Sequence, residues 1–521
     1  MSALKLTDLA DEALIALDNL SDLPSSLRGS QVRLGVAGLA RAGKTVFITS
    51  LVHNLVHDGR LPMFEPWRSR RLIGAELEPQ LHDDVPTFDY RAHVRELVDK
   101  RSWPQSTRQI SEMRLTIAFE SASYLSRKLG SGKLHLDIVD YPGEWLLDLP
   151  LLGKDFAVWS QETIDRARQP DRAAIAGPWL EHLSTLDPSE PVDEEAVEEA
   201  ARRFKAYLAA CRADEHAFSL VPPGRFLMPG DLDGSPALTF APLDVVPKAD
   251  APKGSLLAMM EKRYDAYRQV VVKPFFRTHF ARLDRQVVLV DPLPALNAGP
   301  AALADLALAL EEILGCFRPG RSSWLTSVLT RRIDRILIAA TKADHLHHVS
   351  HDRLELLLER ILADPIARAE KAGAKVDVKA IAAVRATREA EVRKGGERLP
   401  CIVGVPQAGE TIDDRGFNGN EEIALFPGDL PENPEILIQQ VETLIQEAHR
   451  HGQRSGDAPR GPWSGRAARP DIAMDTALVP DLRFLRFRPP RLETTAEGMT
   501  LSLPHIRLDR AIDFLIGDKL A

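Results

Sequence analysis

Apolar residues follow two alternating patterns along the chain. Short runs with the length and apolar content of buried β-strands occupy residues 32–37, 113–120, 133–140, 285–291 and 334–340. Apolar residues at helical spacing occupy residues 46–56, 301–314, 352–372 and 434–448. Buried strands that alternate with helices are typical of proteins with a largely parallel sheet. The pattern therefore predicts an α/β fold.

The pattern changes between residues 145 and 284, where helix-like segments are separated by Pro- and Gly-rich stretches. We interpret residues 145–284 as a mostly helical insertion into a domain formed by residues 1–144 and 285–450. Residues 451–474 are rich in Gly, Pro and Arg, which predicts a flexible linker. Strand-like alternation at 482–492 and 499–507, then a helical pattern at 508–520, predicts a C-terminal hairpin and helix within residues 475–521 that pack on the core.

A glycine-containing loop, GLARAGKT, joins the first strand to the first helix. This order of elements places backbone N–H groups and a helix N-terminus around a polyphosphate. Gly38 and Gly43 allow backbone angles that a side chain forbids, Lys44 reaches the β- and γ-phosphates, and Thr45 offers a hydroxyl to Mg²⁺. The predicted nucleotide-binding residues of this P-loop are Gly38, Ala40, Arg41, Ala42, Gly43, Lys44, Thr45 and Val46.

A second motif, DYPGE, directly follows the strand predicted at 133–140. Asp140 is predicted to bind Mg²⁺ through a water of its shell, and the Gly143 amide to contact the γ-phosphate. Asp291 also follows a buried strand, but no comparable glycine accompanies it, and we therefore prefer Asp140 as the acid of the metal site.

Glu144 stands where many GTPases have the glutamine that orients the attacking water. It is a candidate catalytic residue, and a solvated glutamate in the first turn of a helix is the alternative.

The polar, Pro-containing stretch from residue 58 to about 110 is interpreted as a long loop. In P-loop GTPases the corresponding region contains the first switch, whose threonine closes on Mg²⁺ and the γ-phosphate. Thr107, within RSWPQST, is the predicted switch residue because it precedes the next strand; Thr87 is the alternative.

A third motif, TKAD, follows the strand predicted at 334–340. The Asp344 carboxylate can accept hydrogen bonds from N1–H and the exocyclic amine of guanine, whereas adenine has an acceptor at the first of these positions. Lys342 is predicted to lay its apolar stem over the base, and Thr341 belongs to the same loop. Ala386 and Thr387 are candidates for a further base-contacting loop, on the order of elements alone.

The composition of the chain limits its possible functions and locations. The net charge of −9 gives no support to nucleic-acid binding driven by charge. The three cysteines, Cys211, Cys316 and Cys401, match no metal or disulfide spacing, which favours a reducing, cytoplasmic setting. The sequence has no apolar run long enough to span a bilayer. A helical pattern at 4–20 has an acidic polar face, which favours packing on the domain; peripheral membrane contact is left open.

Taken together, these motifs carry a family resemblance. With GLARAGKT, WPQST, DYPGEWLLDLP, TKAD and the ending LPHIRLDRAIDFLIGDKLA, the sequence resembles the YcjX-like family of bacterial P-loop NTPases, from residue 4 to the end except for 451–474. The resemblance implies a Ras-like GTPase core, a three-layer sandwich with a helical insertion, that binds GTP with Mg²⁺. It also implies an association with the stress response. Carried over, it assigns metal roles to Thr45, Thr107 and Asp140.

Two residues depart from the ordinary Ras pattern: Thr341 replaces asparagine and Glu144 replaces glutamine. Arg41 lies where the loop passes the β–γ bridging oxygen, so it is either an arginine finger in cis or an outward-pointing partner of an acid. The predicted function is Mg²⁺-dependent hydrolysis of GTP to GDP, with Lys44, Arg41 and Glu144 as catalytic candidates and an unidentified protein effector. The alternatives are a P-loop ATPase and a nucleotide-binding scaffold with little turnover.

Overall fold

The structure is a computed structural model. It describes residues 30–39, 41–105, 109–122, 132–213, 216–245, 252–316, 333–394, 397–412, 415–430, 434–454, 482, 485–492 and 502–521. Three of the sequence predictions lie outside these residues: Ala40, Thr107 and the helix at 4–20. Most of the predicted linker at 451–474 also lies outside them.

Seven strands form the central sheet, in the order β2-β3-β4-β1-β5-β6-β7. Strands β4, β1, β5, β6 and β7 are parallel, and β3 pairs antiparallel with both of its neighbours. All five strands predicted from apolar runs are present. The bounds are β1 Ser30–Gly38, β2 Leu72–Glu78, β3 Ser111–Phe119, β4 Gly132–Asp140, β5 Arg285–Val290, β6 Arg335–Ala340 and β7 Lys375–Ala380.

Helices cover both faces of this sheet. Their bounds are α1 Lys44–Val56, α2 Glu65–Arg68, α3 Tyr90–Val98, α4 Phe156–Ala167, α5 Pro170–Leu183, α6 Glu194–Cys211, α7 Leu256–Ala266, α8 Lys273–Thr278, α9 Leu293–Ala298, α10 Pro300–Cys316, α11 His351–Ile361, α12 Ala363–Lys371, α13 Glu435–Arg454 and α14 Leu508–Ile516. No helix within the described ranges is long and apolar enough to cross a membrane.

The alternation of side chains along the strands produces two separate cores. Val288 and Val290 of β5 belong to a core shared with α9 to α13, whereas Val287 and Leu289 belong to a core shared with α1 and α14. In an extended strand, successive side chains point to opposite faces, so apolar residues at every position are buried only if both faces are covered. The mixed α/β fold therefore has three layers: helices, a mostly parallel sheet, and helices.

The interpretation of residues 58–110 as a loop is wrong. This stretch contains α2, β2 and α3. Strand β2 lies at the edge of the sheet, where it pairs with β3, and Ile73 is 58% exposed. An edge strand is stabilised by hydrogen bonds to one neighbour and buries little apolar surface. The sequence of β2 consequently lacks the apolar run that revealed the central strands.

The segment between β4 and β5, residues 141–284, is mostly helical over its described parts and shares the first core. A 3₁₀ helix, Gly143–Gly153, leads into α4 to α8, with a six-residue π-helix, Tyr267–Val272, between α7 and α8. Aromatic side chains fill its interior; the Trp159 ring stacks on Tyr264 with centroids 4.9 Å apart. Trp159 belongs to the same hydrophobic cluster as Val288 of the sheet, so one core spans the helices and the sheet.

The turn of the predicted C-terminal hairpin, residues 493–501, lies outside the described residues, so the hairpin stays a prediction. Among the described residues, Phe487 of the first arm forms a bridge with Pro406, and Ile506 of the second arm forms a bridge with Ala382. The helix predicted at 508–520 is present as α14 and a final 3₁₀ turn, and α13 extends through residue 454, beyond the predicted start of the linker.

A second, antiparallel sheet lies beyond β7. It contains β8 Arg388–Lys394, β9 Glu397–Gly404 and β12 Ile423–Leu425, and a short ribbon is formed by β10 Thr411–Ile412 and β11 Arg415–Gly416. Its core is small, and Phe487 of the C-terminal region packs in it.

A close backbone approach joins the end of β1 to the start of the 3₁₀ helix after β4. A Cβ atom on Gly143 would lie 2.3 Å from the carbonyl oxygen of Gly38. Only glycine fits this position without displacement of the backbone.

We expect Gly143→Ala to lower the free energy of unfolding by about 1–3 kcal/mol, the usual cost of overpacking. Gly177 is the matched control, because a Cβ on this helical residue meets nothing within 4 Å. Gly177→Ala should instead stabilise the protein by about 0.5–1 kcal/mol, since alanine is the better helix former. Urea unfolding of both variants measures the difference, and equal effects would contradict the close approach.

A buried ion pair joins α5 to α10. Arg172 donates to Asp305, and the same carboxylate accepts hydrogen bonds from the backbone amides of Ser219 and Leu220. Asp305→Ala should cost about 3–5 kcal/mol, because it leaves the arginine charge buried and without its carboxylate. Glu422→Ala, which breaks the exposed pair with Arg388, should change stability by less than about 0.5 kcal/mol. Similar losses in the two variants, measured by urea unfolding, would disprove this assignment.

Candidate functional site

The loop between β1 and α1 forms one end of the candidate site. Gly43 has φ 77° and Arg41 has φ 59°, so the chain turns through the left-handed region twice before α1 begins at Lys44. Gly38 has strand geometry at the end of β1, and its role differs from the predicted one. A Cβ atom there would lie 3.1 Å from the Leu289 side chain, so close packing is what favours glycine.

The parallel pairing of β1 with β4 brings the second motif to this loop. Val36 is in register with Asp140, the last residue of β4. The Nζ atom of Lys44 lies 3.3 Å from Oδ1 of Asp140, and both side chains are buried. Asp291, the alternative acid, lies elsewhere: its Oδ2 accepts a hydrogen bond of 2.5 Å from Lys342.

Oxygen atoms that suit Mg²⁺ lie beside Lys44. The Thr45 hydroxyl, in the first turn of α1, is 3.5 Å from the carbonyl oxygen of Gln105, and the Asp140 carboxylate is next to Lys44. Hydroxyl and carboxylate oxygens are the ligands that Mg²⁺ prefers, usually with several waters. The donor set of Thr45 and Asp140 fits this ion.

The third motif and the loop after β7 meet at the other end of the site. Lys342 has φ 58°, which turns the chain sharply after β6. The Ala386 amide donates to Oδ2 of Asp344 at 2.8 Å, and the Thr387 hydroxyl donates to the Asp344 carbonyl oxygen. Thr341 donates its hydroxyl to the carbonyl oxygen of Val290 in β5 at 3.1 Å. Thr341, which stands where the Ras pattern has asparagine, is therefore anchored to the neighbouring strand.

A cavity of about 480 Å³ connects the two ends. Predicted residues from all three motifs line it: Gly38, Arg41, Ala42, Gly43, Lys44, Thr45, Val46, Glu144, Thr341, Lys342 and Asp344. Four further predicted residues, Asp140, Gly143, Ala386 and Thr387, lie behind this lining and contact it. Thr87, the alternative switch residue, is exposed and forms a bridge with Glu112, away from the cavity.

Glu144 is buried and ion-paired. It is 6% exposed, and its Oε1 accepts a hydrogen bond of 2.8 Å from Arg212, the residue that follows α6. Both side chains line the cavity. The alternative of a solvated glutamate does not hold, and the carboxylate charge is balanced by a guanidinium that sequence reasoning did not find.

The 3₁₀ helix that begins at Gly143 is fixed to the rest of the β4–β5 segment by further polar contacts. The buried Asp148 accepts hydrogen bonds from the Gly224 amide at 2.6 Å and the Tyr267 hydroxyl at 2.7 Å. Burial raises the pKa of Asp148 to about 6, and these hydrogen bonds hold it below the value that burial alone would give. Trp145 donates to the Met228 carbonyl at 3.0 Å and lies under the Arg225 guanidinium, 3.1 Å from the ring centroid.

Several residues of the cavity wall were missed by sequence reasoning. Trp103, from the segment that contains Thr107, donates its indole N–H to the Phe487 carbonyl at 2.6 Å, and the Phe487 ring meets His345 edge-on. The WPQST stretch was the available signal for Trp103, Pro104 and Gln105, and Leu39 lies within the GLARAGKT loop. The missed lining residues are Leu39, Phe47, Trp103, Pro104, Gln105, Arg212, Met228, His345, Ala382, Ala383, Val384, Gln407, Arg486 and Phe487.

Known proteins are similar to this chain over most of its length. The family described as YcjX-like family, DUF463, matches residues 32–520. A protein of Escherichia coli (strain K12) named Ras-like GTPase YcjX is 34% identical over 500 residues, which cover 94% of this chain and 96% of that protein. A protein of the same name from Shewanella oneidensis is 33% identical over 510 residues, 94% of each chain. The chain therefore belongs to the YcjX-like family.

Proposed function

We propose that the protein binds GTP with Mg²⁺ and hydrolyses it to GDP and phosphate. One observation carries the proposal: a single cavity is lined at one end by Lys44 and Thr45 and at the other by Asp344. Its volume, about 480 Å³, is in the range of ligand pockets. The names of the two relatives, Ras-like GTPase, support the same activity.

The polyphosphate would lie over the loop before α1. Backbone amides between Gly38 and Lys44 and the N-terminus of α1 provide partial positive charge there, and the buried Lys44 adds a full charge. Asp140 holds the Lys44 ammonium group in place at 3.3 Å. The Gly143 amide would reach the γ-phosphate because its backbone lies against Gly38.

Thr45 and Asp140 would hold Mg²⁺, directly or through water. The bound ion supplies neutralisation of the β- and γ-phosphate oxygens. Thr107 stays a predicted third ligand; Gln105, two residues before it, is already at the Thr45 hydroxyl.

Guanine selection would depend on Asp344. Its position is set by the Ala386 amide and the Thr387 hydroxyl, which hold the carboxylate and the backbone of the same residue. A carboxylate fixed in this way can accept from the two N–H donors of guanine, and it would face an acceptor in adenine. Lys342 is positioned by Asp291, so its stem has a defined direction beside the base.

Hydrolysis would proceed by in-line attack of water on the γ-phosphorus, with cleavage of the bond to the bridging oxygen and release of GDP. We infer that Arg212, more than Arg41, provides the guanidinium that stabilises the transferring group. Arg212 is partly buried, with its side chain 21% exposed, and it is paired with Glu144, the residue that follows Gly143; Arg41 is exposed. A charge with little solvent access interacts more strongly with a developing charge. The pairing also removes the repulsion expected between Glu144 and the γ-phosphate.

The two alternatives can be told apart. A P-loop ATPase would bind ATP and GTP equally well, and a scaffold would bind GTP without turning it over. The role in the stress response, the cytoplasmic location and the protein effector stay predictions. The contacts of the 3₁₀ helix with the β4–β5 segment support this segment as the part that responds to nucleotide state.

Asp344→Asn tests base selection. The variant should lose at least about 100-fold in GTP affinity and gain affinity for XTP, since hydrogen bonds to a charged group contribute roughly 1.5–3 kcal/mol each. Titrations of nucleotide-free protein with GTP, XTP and ATP in Mg²⁺ measure both effects. Asp364→Asn, an exposed position on α12, is the control and should behave as wild type. Equal ATP and GTP affinity in the wild type would favour the ATPase.

Arg212→Ala tests catalysis in single-turnover GTP hydrolysis. We expect a fall of about 10³–10⁵-fold in rate, the range known for arginine fingers, with GTP affinity within a few-fold of wild type. The double variant Arg212→Ala, Glu144→Gln separates catalysis from charge balance: its rate stays low if Arg212 acts on the phosphate and recovers if the unpaired Glu144 is the cause. A large loss in Arg41→Ala, with Arg212→Ala near wild type, would reverse the assignment. Bound GTP without turnover in the wild type would favour the scaffold.

A further inference from the structure

Three side chains of metal-ligating type converge outside the nucleotide cavity. His347 and His348 lie between the TKAD loop and α11, and Glu389 is the second residue of β8. One ligand atom from each lies within 4.8 Å of the other two. His348 Nδ1 is 2.8 Å from Glu389 Oε2, and the His347 and His348 rings lie 4.3 Å apart. No other such group of three or more occurs in the described part of the chain.

The second observation at this cluster is the buried ring of His347. Its side chain is 8% exposed, and its Nδ1 is buried with no hydrogen-bond partner among the described residues. A buried nitrogen left without a partner costs about 1–3 kcal/mol, which calls for an explanation such as an ion.

We infer that His347, His348 and Glu389 form a site for a transition-metal ion of the zinc class. Two imidazoles and one carboxylate are a ligand set that Zn²⁺ accepts, and Mg²⁺ and Ca²⁺ require oxygen ligands in place of the imidazoles. Zinc–ligand bonds are about 2.0–2.2 Å long, so the ligand atoms draw together around the ion. The ion replaces the His348–Glu389 hydrogen bond, and a water completes the fourth position.

The charged neighbours of the cluster are compatible with this site. Arg385 lies 3.6 Å from Glu389 Oε1, while Oε2 of the same carboxylate faces His348. A cation on one oxygen orients the other toward the ion, in the manner of an outer-shell partner. Arg385 also competes with the ion for the Glu389 carboxylate, so the affinity for the metal is moderate and binding is reversible.

The position of the cluster gives the ion a structural consequence. It would cross-link the loop that carries Asp344 to β8, which directly follows Ala386 and Thr387. His345 lines the cavity, whereas His347 and His348 do not, so the ion would act from behind the base-binding loop. We therefore expect the bound ion to slow the release of nucleotide. This effect on release rests on the proposed function, whereas the binding of the metal does not.

Calorimetric titration of the chelator-treated, nucleotide-free full chain with ZnCl₂ tests the site. We expect one ion per chain, with binding at least tenfold weaker in His348→Ala and in Glu389→Gln, two partly exposed positions whose replacement spares the core. Co²⁺ gives a second readout, a visible absorption band of the bound ion that both variants should lose.

His82→Ala is the matched control, because His82 also pairs with a glutamate, Glu112, at 2.7 Å. It should bind Zn²⁺ as the wild type does. Loss of binding in His82→Ala alone, or equal binding in all four proteins, would overturn the site.

Release of labelled GDP with and without Zn²⁺ tests the consequence. Slowing in the wild type and not in His348→Ala supports it, and equal release rates overturn the coupling while leaving the metal site intact. If no guanine nucleotide binds at all, the proposed function fails and the zinc titration still decides the site.

Discussion

The parallel pairing of β1 with β4 on one side and β5 on the other is the constraint on which the candidate site depends. Val36 is in register with Asp140 and Gly38 with Leu289, so the ends of three strands meet at one edge of the sheet. Loops that leave this edge are forced together, whatever their separation in sequence. Lys44 meets Asp140 for this reason, and the absence of a side chain at Gly143 lets the next loop lie directly on Gly38.

The sequence was informative where a residue's role is set by its immediate neighbours. Strands buried on both faces favour continuous apolar runs, and β5 and β6 were visible for that reason. The P-loop and TKAD motifs were visible because backbone geometry and ligand chemistry both restrict the residues allowed. Ala386 and Thr387 were proposed only from the order of elements, and the structure places both at Asp344.

The features that sequence reasoning missed depend on contacts between distant residues. Strand β2 is held at the edge by hydrogen bonds to β3, which leave little trace in an apolar pattern. Arg212 is 68 residues from Glu144, and nothing in the amphipathic pattern of α6 distinguishes this residue, which follows the helix, from the arginines within it. The bridges from Phe487 to Pro406 and from Ile506 to Ala382 were missed as well, because alternation indicates a half-buried extended segment and does not specify its partner.

The polar contacts of the 3₁₀ helix determine how a movement at Gly143 would spread. Asp148 is buried, and its hydrogen bonds come from the Gly224 amide, the Arg225 amide and the Tyr267 hydroxyl, all in the β4–β5 segment. Separation of the 3₁₀ helix from the rest of this segment would leave the Asp148 carboxylate and its donors buried and unpaired, at a cost of several kcal/mol. A shift of both parts as one body keeps these bonds. A displacement of the Gly143 amide would therefore carry Arg212 and the helices behind it along with the cavity wall.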